Sequence, residues 1–280
     1  MSFSFYDGDP VAKIMATVKN ETSKSSKKED IPIYFKPLGF DDDEEEGDYD
    51  DIKTSIKLKP KAGVEFQLIP NNKKNKDNTI KRHVGYITGQ SGSGKTTFVI
   101  NYLKQYRMMF KNNPIYLFSA IGNEGDKDPY NIKELEVERI KIDEKIKELN
   151  ARDFHDSCVI FDDMDCYKDK KVLELVVRLR DEMLETGRHA GTFVLITYHL
   201  PTNAHDTRRM INEASFVVYF PKLSNGKIKN LLENYLGLEK NQIKAIKRMP
   251  TRWACILRTT PNILMTQKEL KVLDDDDLED

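Results

Sequence analysis

The sequence predicts an α/β fold, a central and mostly parallel sheet flanked by helices, and three observations carry that reading. From residue 83 onward, short runs rich in Val, Ile, Leu and Phe alternate with longer stretches of helical period, the pattern of strands joined by crossover helices. A glycine-rich turn, Gly89 to Gly94, lies between the first of those strands and the first helix. A later apolar run, Cys158 to Phe161, leads directly into two carboxylates, Asp162 and Asp163.

Taken in order, residues 1–51 hold a short apolar start, a Ser/Lys tract at 23–28, a Pro-containing stretch at 31–40 and nine acids within 41–51. This composition reads as a flexible arm whose 31–40 stretch can dock, with folding expected to begin near Ile52. Two extended pieces, 54–58 and 64–69, precede a basic, Asn-rich loop at 71–76. Strands are then expected at 83–88, 115–119, 137–142, 158–162, 193–197 and 216–220, and helices at 95–110, 170–185 and 227–235. A helix at 240–247 and strands at 253–258 and 262–265 complete the pattern, followed by an acidic tail at 274–280. No Gly/Ser/Pro-rich linker interrupts 52–273, which therefore reads as one domain, and no internal repeat is visible.

Of 280 residues, 39% are hydrophobic and 32% charged, enough apolar material for a sizeable core but wet enough to leave polar segments outside it. No stretch approaches the ~20 apolar residues that cross a bilayer, and residues 1–10 lack the layout of a signal peptide, so a cytosolic chain without a membrane segment is expected. Cys158, Cys166 and Cys255 have neither the number nor the spacing of a disulfide framework or a zinc site; they read as small buried hydrophobes in a reducing compartment. The net charge of −1 conceals an uneven distribution: without the 15 acids of 41–51 and 274–280 the rest of the chain carries +14. A body so basic is compatible with a polyanionic partner, because neutralising phosphates releases counterions.

The turn Gly89-Gln90-Ser91-Gly92-Ser93-Gly94-Lys95-Thr96 satisfies GxxxxGK(S/T), with Thr97 following, in the strand-to-helix context that gives the pattern its meaning. Glycines at 89, 92 and 94 let successive backbone N–H groups converge on phosphate oxygens ahead of the positive end of a helix. Lys95 is expected to reach the β and γ phosphates of ATP, and the Thr96 hydroxyl to ligate Mg²⁺. The strand 158–162 has the form of a Walker B strand, so Asp162 is the candidate partner of Mg²⁺ and Asp163 the candidate base for water attacking the γ-phosphate. Asp165 reads as a cap after that strand.

About 65 residues and at least one further strand separate the glycine-rich loop from Asp162, and another strand follows at 193–197. That spacing suits the additional-strand, RecA-like P-loop NTPases, with expected strand order 5-1-4-3-2. There the end of strand 193–197 lies between loop and acids, making Thr197, with His199 next, the candidate sensor of the γ-phosphate. Arg188, in Gly187-Arg188-His189, is the candidate arginine acting on a neighbouring subunit's nucleotide, with Arg208 and Arg209 as competitors.

Together GQSGSGKTT, CVIFDD and ETGRHAGTFVLITYH followed by INEASFVVYFPK resemble the genome-packaging ATPases of large nucleocytoplasmic DNA viruses, the poxvirus-type branch of the FtsK/HerA superfamily. The resemblance spans about residues 54–270. It implies a ring-shaped homo-oligomer, pentamer or hexamer, that hydrolyses ATP to drive double-stranded DNA into a preformed capsid, with a capsid or portal component as further partner. It places the chain at the virus assembly site in the host cytoplasm, or in the virion. Lys95, Thr96, Asp162, Asp163 and Arg188 carry over individually. Departures are Thr197-Tyr198-His199, where many relatives have Ser-Gln or Thr-Gln, and Asp163, where many of the wider superfamily have Glu. Candidate DNA contacts are Lys73, Lys74, Lys76, Arg208 and Arg209. Rival readings are a P-loop phosphotransferase acting on a small acceptor, a nucleotide-gated scaffold and a helicase.

Overall fold

The structure, a computed structural model, describes residues 2–4, 8–19, 26–36, 57–58, 65–72, 81–121, 128–199, 204–223 and 226–273. The acidic run at 41–51, the tail at 274–280 and Lys73, Lys74 and Lys76 lie outside them.

In chain order the strands are β1 (Ser2–Ser4), β2 (Asp9–Lys19), β3 (Ser26–Lys36), β4 (Lys57–Leu58), β5 (Phe66–Leu68), β6 (Val84–Thr88), β7 (Ile115–Ser119), β8 (Val137–Arg139), β9 (Cys158–Asp162), β10 (Phe193–Tyr198), β11 (Phe216–Tyr219), β12 (Ala254–Leu257), β13 (Ile263–Thr266) and β14 (Leu270–Val272). The helices are α1 (Lys95–Met109), α2 (Lys170–Thr186), α3 (Ala204–Glu213), α4 (Gly226–Asn230), which runs on into a π turn at Leu231–Tyr235, and α5 (Lys240–Arg248).

Ten strands form one sheet in the order β4-β14-β13-β12-β11-β6-β10-β9-β7-β8. The run from β11 to β8 is parallel. Counted from β6 and leaving out the short edge strand β8, β11-β6-β10-β9-β7 reads 5-1-4-3-2. The complete order is longer than that five-strand expectation, because β12, β13, β14 and β4 continue the sheet antiparallel beyond β11.

Side chains of β6 alternate between the two faces, as strand geometry demands: Val84 and Tyr86 join one apolar cluster and Ile87 the other. On the first side lie α2, α4 and α5, through Val176, Leu179, Met183, Ile228 and Ile243. On the second lies α1, whose Phe98, Val99, Tyr102, Leu103 and Tyr106 are buried at helical spacing. Asp169 caps α2 by accepting from the backbone N–H groups of Lys171 and Val172, so the capping role expected of Asp165 belongs four residues further on.

Within the stretch expected to be a flexible arm, residues 2–4, 8–19 and 26–36 depart from expectation. In place of a flexible arm, β1, β3 and β2 pair antiparallel and β5 completes a four-stranded sheet beside them. The reason is an apolar alternation in a short stretch: Ile33 and Phe35, two apart on β3, are buried together with Val11, Ala12 and Phe3 and share the apolar cluster of α1. Averaging composition over all 51 residues hides that pattern beneath the acids that follow. Among the described residues, no helix is long and apolar enough to cross a membrane.

Candidate functional site

Parallel pairing sets the site. β6, β10, β9 and β7 all point the same way, and Thr88 pairs with Tyr198, Ile87 with Thr197, and Ser119 with Asp162. The loops leaving these strand ends therefore meet along one edge of the sheet, where open α/β folds gather their ligands.

The loop after β6 is anchored to that edge by Gly89 N–H donating to Tyr198 O (3.1 Å), and it turns back through Ser93 N–H to Gln90 O (3.1 Å). Gly92 (φ +73°) and Gly94 (φ +107°) occupy the left-handed region that favours glycine. At Gly89 space is the constraint: a Cβ there would lie 2.6 Å from Ser93 Oγ and 2.7 Å from Phe220 Cδ2. Gln90, Ser91 and Thr97 are exposed and Thr96 half-buried at the start of α1. Ser93 Oγ is buried without a hydrogen-bond partner.

Lys95 is buried, and its Nζ donates to Gly89 O at 3.0 Å and stands 3.4 Å from Asp163 Oδ1. The glycine-rich loop and the paired aspartates thus converge. Asp162 is 4% exposed and densely bonded: Tyr130 Oη donates to Oδ1 (2.9 Å), Thr197 Oγ1 to the same oxygen (2.9 Å) and Ser119 Oγ to Oδ2 (3.3 Å). Burial pushes the Asp162 carboxyl above the usual range, Asp163 adds to the rise, and the three hydroxyl donors oppose it. Asp163 sits in the left-handed region (φ 49°, ψ 38°), a conformation Asp and Asn tolerate better than other side-chain-bearing residues. Its backbone N–H is satisfied by Thr197 Oγ1 at 2.9 Å.

Thr197 is therefore fully buried between the two acids, with its single proton engaged by them. Beside it His199 places Nε2 3.6 Å from Asp163 Oδ2. Arg188 is not at this edge. It is exposed beyond the C-terminus of α2, on the side where Arg82, at the start of β6, donates to Met183 O (2.6 Å) and Leu184 O (2.5 Å). Arg209 is held by Asp181 (2.9 Å) and by Glu185, and Arg208 is exposed.

Sequence reasoning missed Ser119 and Tyr130. Ser119 was open to inference as the polar end of a strand, whereas nothing local marks Tyr130. Two cysteines are buried as expected, but Cys166 is exposed, because it follows the strand end on the turn Met164–Cys166 and not within an apolar run.

A triphosphate with Mg²⁺ fits these residues. The cradle offers backbone N–H groups, the Ser93 hydroxyl and one ammonium, and Asp162 and Thr96 offer the hard oxygen donors that magnesium takes. Fold and site together define a P-loop NTPase fold. No family model matches the chain. Over 200 residues it is 35% identical to an uncharacterized protein, V3, of Sputnik virophage, covering 70% of this chain and 79% of V3. The chain belongs to the family of that virophage protein. Among solved structures, it is similar to the genome packaging NTPase B204 of Sulfolobus turreted icosahedral virus 2 (TM-score 0.47, 12% identity, 69% of this chain and 98% of that one). It is also similar to the cytoplasmic domain of the type VII secretion ATPase EccC of Thermomonospora curvata (TM-score 0.47, 14% identity, 73% and 28%).

Proposed function

We propose that the chain is an ATP-driven translocase of double-stranded DNA that packages a viral genome into capsids, of the poxvirus-type branch, working as a ring at the virus assembly site in the host cytoplasm. The observation that carries the ATPase part is the approach of Lys95 Nζ to Asp163 Oδ1, 3.4 Å, beside a buried Asp162. The ATPase domain is taken as 52–273, with residues 274–280 as an acidic tail.

In this reading the loop 89–97 wraps the phosphates, and Lys95 leaves Gly89 O and Asp163 to neutralise charge on the β and γ groups. Thr96 and Asp162 would hold Mg²⁺, which would add positive charge beside the phosphates. Asp163 takes a proton from water as the water oxygen bonds to the γ-phosphorus and the bond to the β-phosphate oxygen breaks, leaving ADP and inorganic phosphate. Thr197 is a positioning residue: through Asp162 Oδ1 and the Asp163 N–H it fixes both carboxylates, and His199 is the alternative for sensing the γ-phosphate. Arg188, exposed at the far edge of the sheet, acts only on a neighbouring copy's nucleotide.

The DNA part rests on the basic body and on the resemblance. Contacts to phosphates carry no base information, so movement is independent of sequence and weakened by salt. The test is phosphate release from ATP, with and without linear duplex DNA, on protein whose oligomeric state has been measured. Stimulation that fades with salt is expected. Release unaffected by DNA at every salt concentration would remove the motor, and release that needs a small acceptor would favour the phosphotransferase.

A further inference from the structure

Beyond the paired aspartates, the turn after β9 and the end of β10 bring together three side chains of different chemistry. Asp165 and Cys166 come from the turn, and His199 follows β10 directly. One ligand atom from each lies within 4.8 Å of the other two. His199 Nδ1 is 3.3 Å from Cys166 Sγ and 3.4 Å from Asp165 Oδ1. That nitrogen has one lone pair or one proton, so it satisfies one of these neighbours and not both. A cation between the three satisfies all of them. Tetrahedral zinc, with bonds of about 2.0–2.3 Å, holds its ligand atoms roughly 3.3–3.6 Å apart, the spacing seen on both sides of Nδ1.

The surroundings agree. His199 N–H donates to Asp165 Oδ2 at 3.1 Å, which fixes that carboxylate with Oδ1 turned towards the ring. His199 Nε2 faces Asp163 Oδ2 at 3.6 Å, slightly beyond hydrogen-bond distance, so a small rotation of the ring would give the carboxylate-histidine pairing that orients metal-bound imidazoles. Sulfur and imidazole donors select a borderline-soft ion, in contrast to the oxygen donors of Thr96 and Asp162.

We propose that Asp165, Cys166 and His199 form a site for a divalent ion of the zinc class, separate from the magnesium position, with its fourth place open to water. With Nδ1 on the ion, the ring proton resides on Nε2 and points at Asp163.

The test is cobalt binding to the full chain, stripped of metal and kept in excess Mg²⁺ so that the oxygen site is filled. One equivalent of Co²⁺ with a thiolate-to-cobalt charge-transfer band is expected, displaced by Zn²⁺, and lost in Cys166→Ser with affinity reduced at least ~10-fold, as in His199→Gln. Because Cys158 and Cys255 are buried and Cys166 exposed, stoichiometric Zn²⁺ should also slow alkylation of the unmutated protein by iodoacetamide at least ~10-fold. Cobalt bound without the band, a band that persists in Cys166→Ser, or an alkylation rate indifferent to Zn²⁺ would overturn the proposal. None of these readouts depends on ATP hydrolysis.

Discussion

Replacing Thr197 by Val keeps the shape of a fully buried side chain while deleting one hydroxyl that serves both aspartates. That oxygen accepts from Asp163 N–H at 2.9 Å and donates to Asp162 Oδ1 at 2.9 Å. Stranding a buried N–H costs about 1–3 kcal/mol, and a hydrogen bond to a charged acceptor contributes about 1.5–3 kcal/mol. The loss is therefore about 2.5–6 kcal/mol, and at about 2 °C per kcal/mol for a chain of this size the melting temperature should fall by roughly 5–12 °C. Thr197→Ser keeps the hydroxyl and gives up one methyl, about 1 kcal/mol, so its melt should stay within ~3 °C of the parent. Removing the Thr197 donor also takes away an influence that lowers the Asp162 carboxyl, so the acid limb of ATP hydrolysis should move to higher pH in the Val variant and stay put in the Ser variant. Thermal unfolding and a pH profile of phosphate release read both effects. A Val variant that melts within 1 °C of the parent with an unchanged profile would mean that the Thr197 hydroxyl does not hold the two aspartates.

Three further outcomes are expected. His83 is buried, with Nδ1 3.0 Å from Tyr102 Oη, and burial lowers it from 6.5 to about 4 with Lys81 contributing. The unfolded chain thus takes its proton first, and stability should decline by about 3 kcal/mol as pH falls from 6.5 to about 4; urea titrations should show His83→Phe without that share of the slope. For Asp162 the sign is opposite. Its raised carboxyl means stability that is present below the unfolded value is lost as pH rises through the folded one, so Asp162→Asn at neutral pH should melt no lower than the parent and lose the rise in melting temperature that Mg²⁺ with ATP produces. Gly89→Ala forces a carbon to 2.6 Å from Ser93 Oγ and 2.7 Å from Phe220 Cδ2, and a filter-binding assay should show ATP affinity reduced at least ~10-fold, in keeping with an overpacking cost of about 1–3 kcal/mol.

The strand ends were legible because burial on both faces forces unbroken apolar runs: β7 and β9 have the predicted bounds, and β6 and β10 differ by one residue. The expected strand 137–142 shortens to β8, since an edge strand has only β7 to pair with. α3 was overlooked because it follows Pro201 and has no long apolar run, although Met210 and Ile211 are buried. In the site, Lys95 and the two aspartates were readable because chemistry prescribes their spacing from a strand. Tyr130 was not, because its hydroxyl reaches Asp162 from a connection between β7 and β8 whose path only the tertiary fold defines. Arg188 follows the end of α2, and its separation from the loop follows from strand direction, which a list of elements does not express.

The proposed hydrolysis depends on Asp163 taking the proton from water. Asn at this position tolerates the same left-handed backbone and preserves the amide that Thr197 Oγ1 receives, so the substitution removes the base while leaving the cradle intact. Measured side by side with the parent, Asp163→Asn should hold ATP with magnesium at an affinity within a few-fold and release phosphate at least ~100-fold more slowly. Release at the parental rate from protein that binds ATP normally would mean that another group takes the proton.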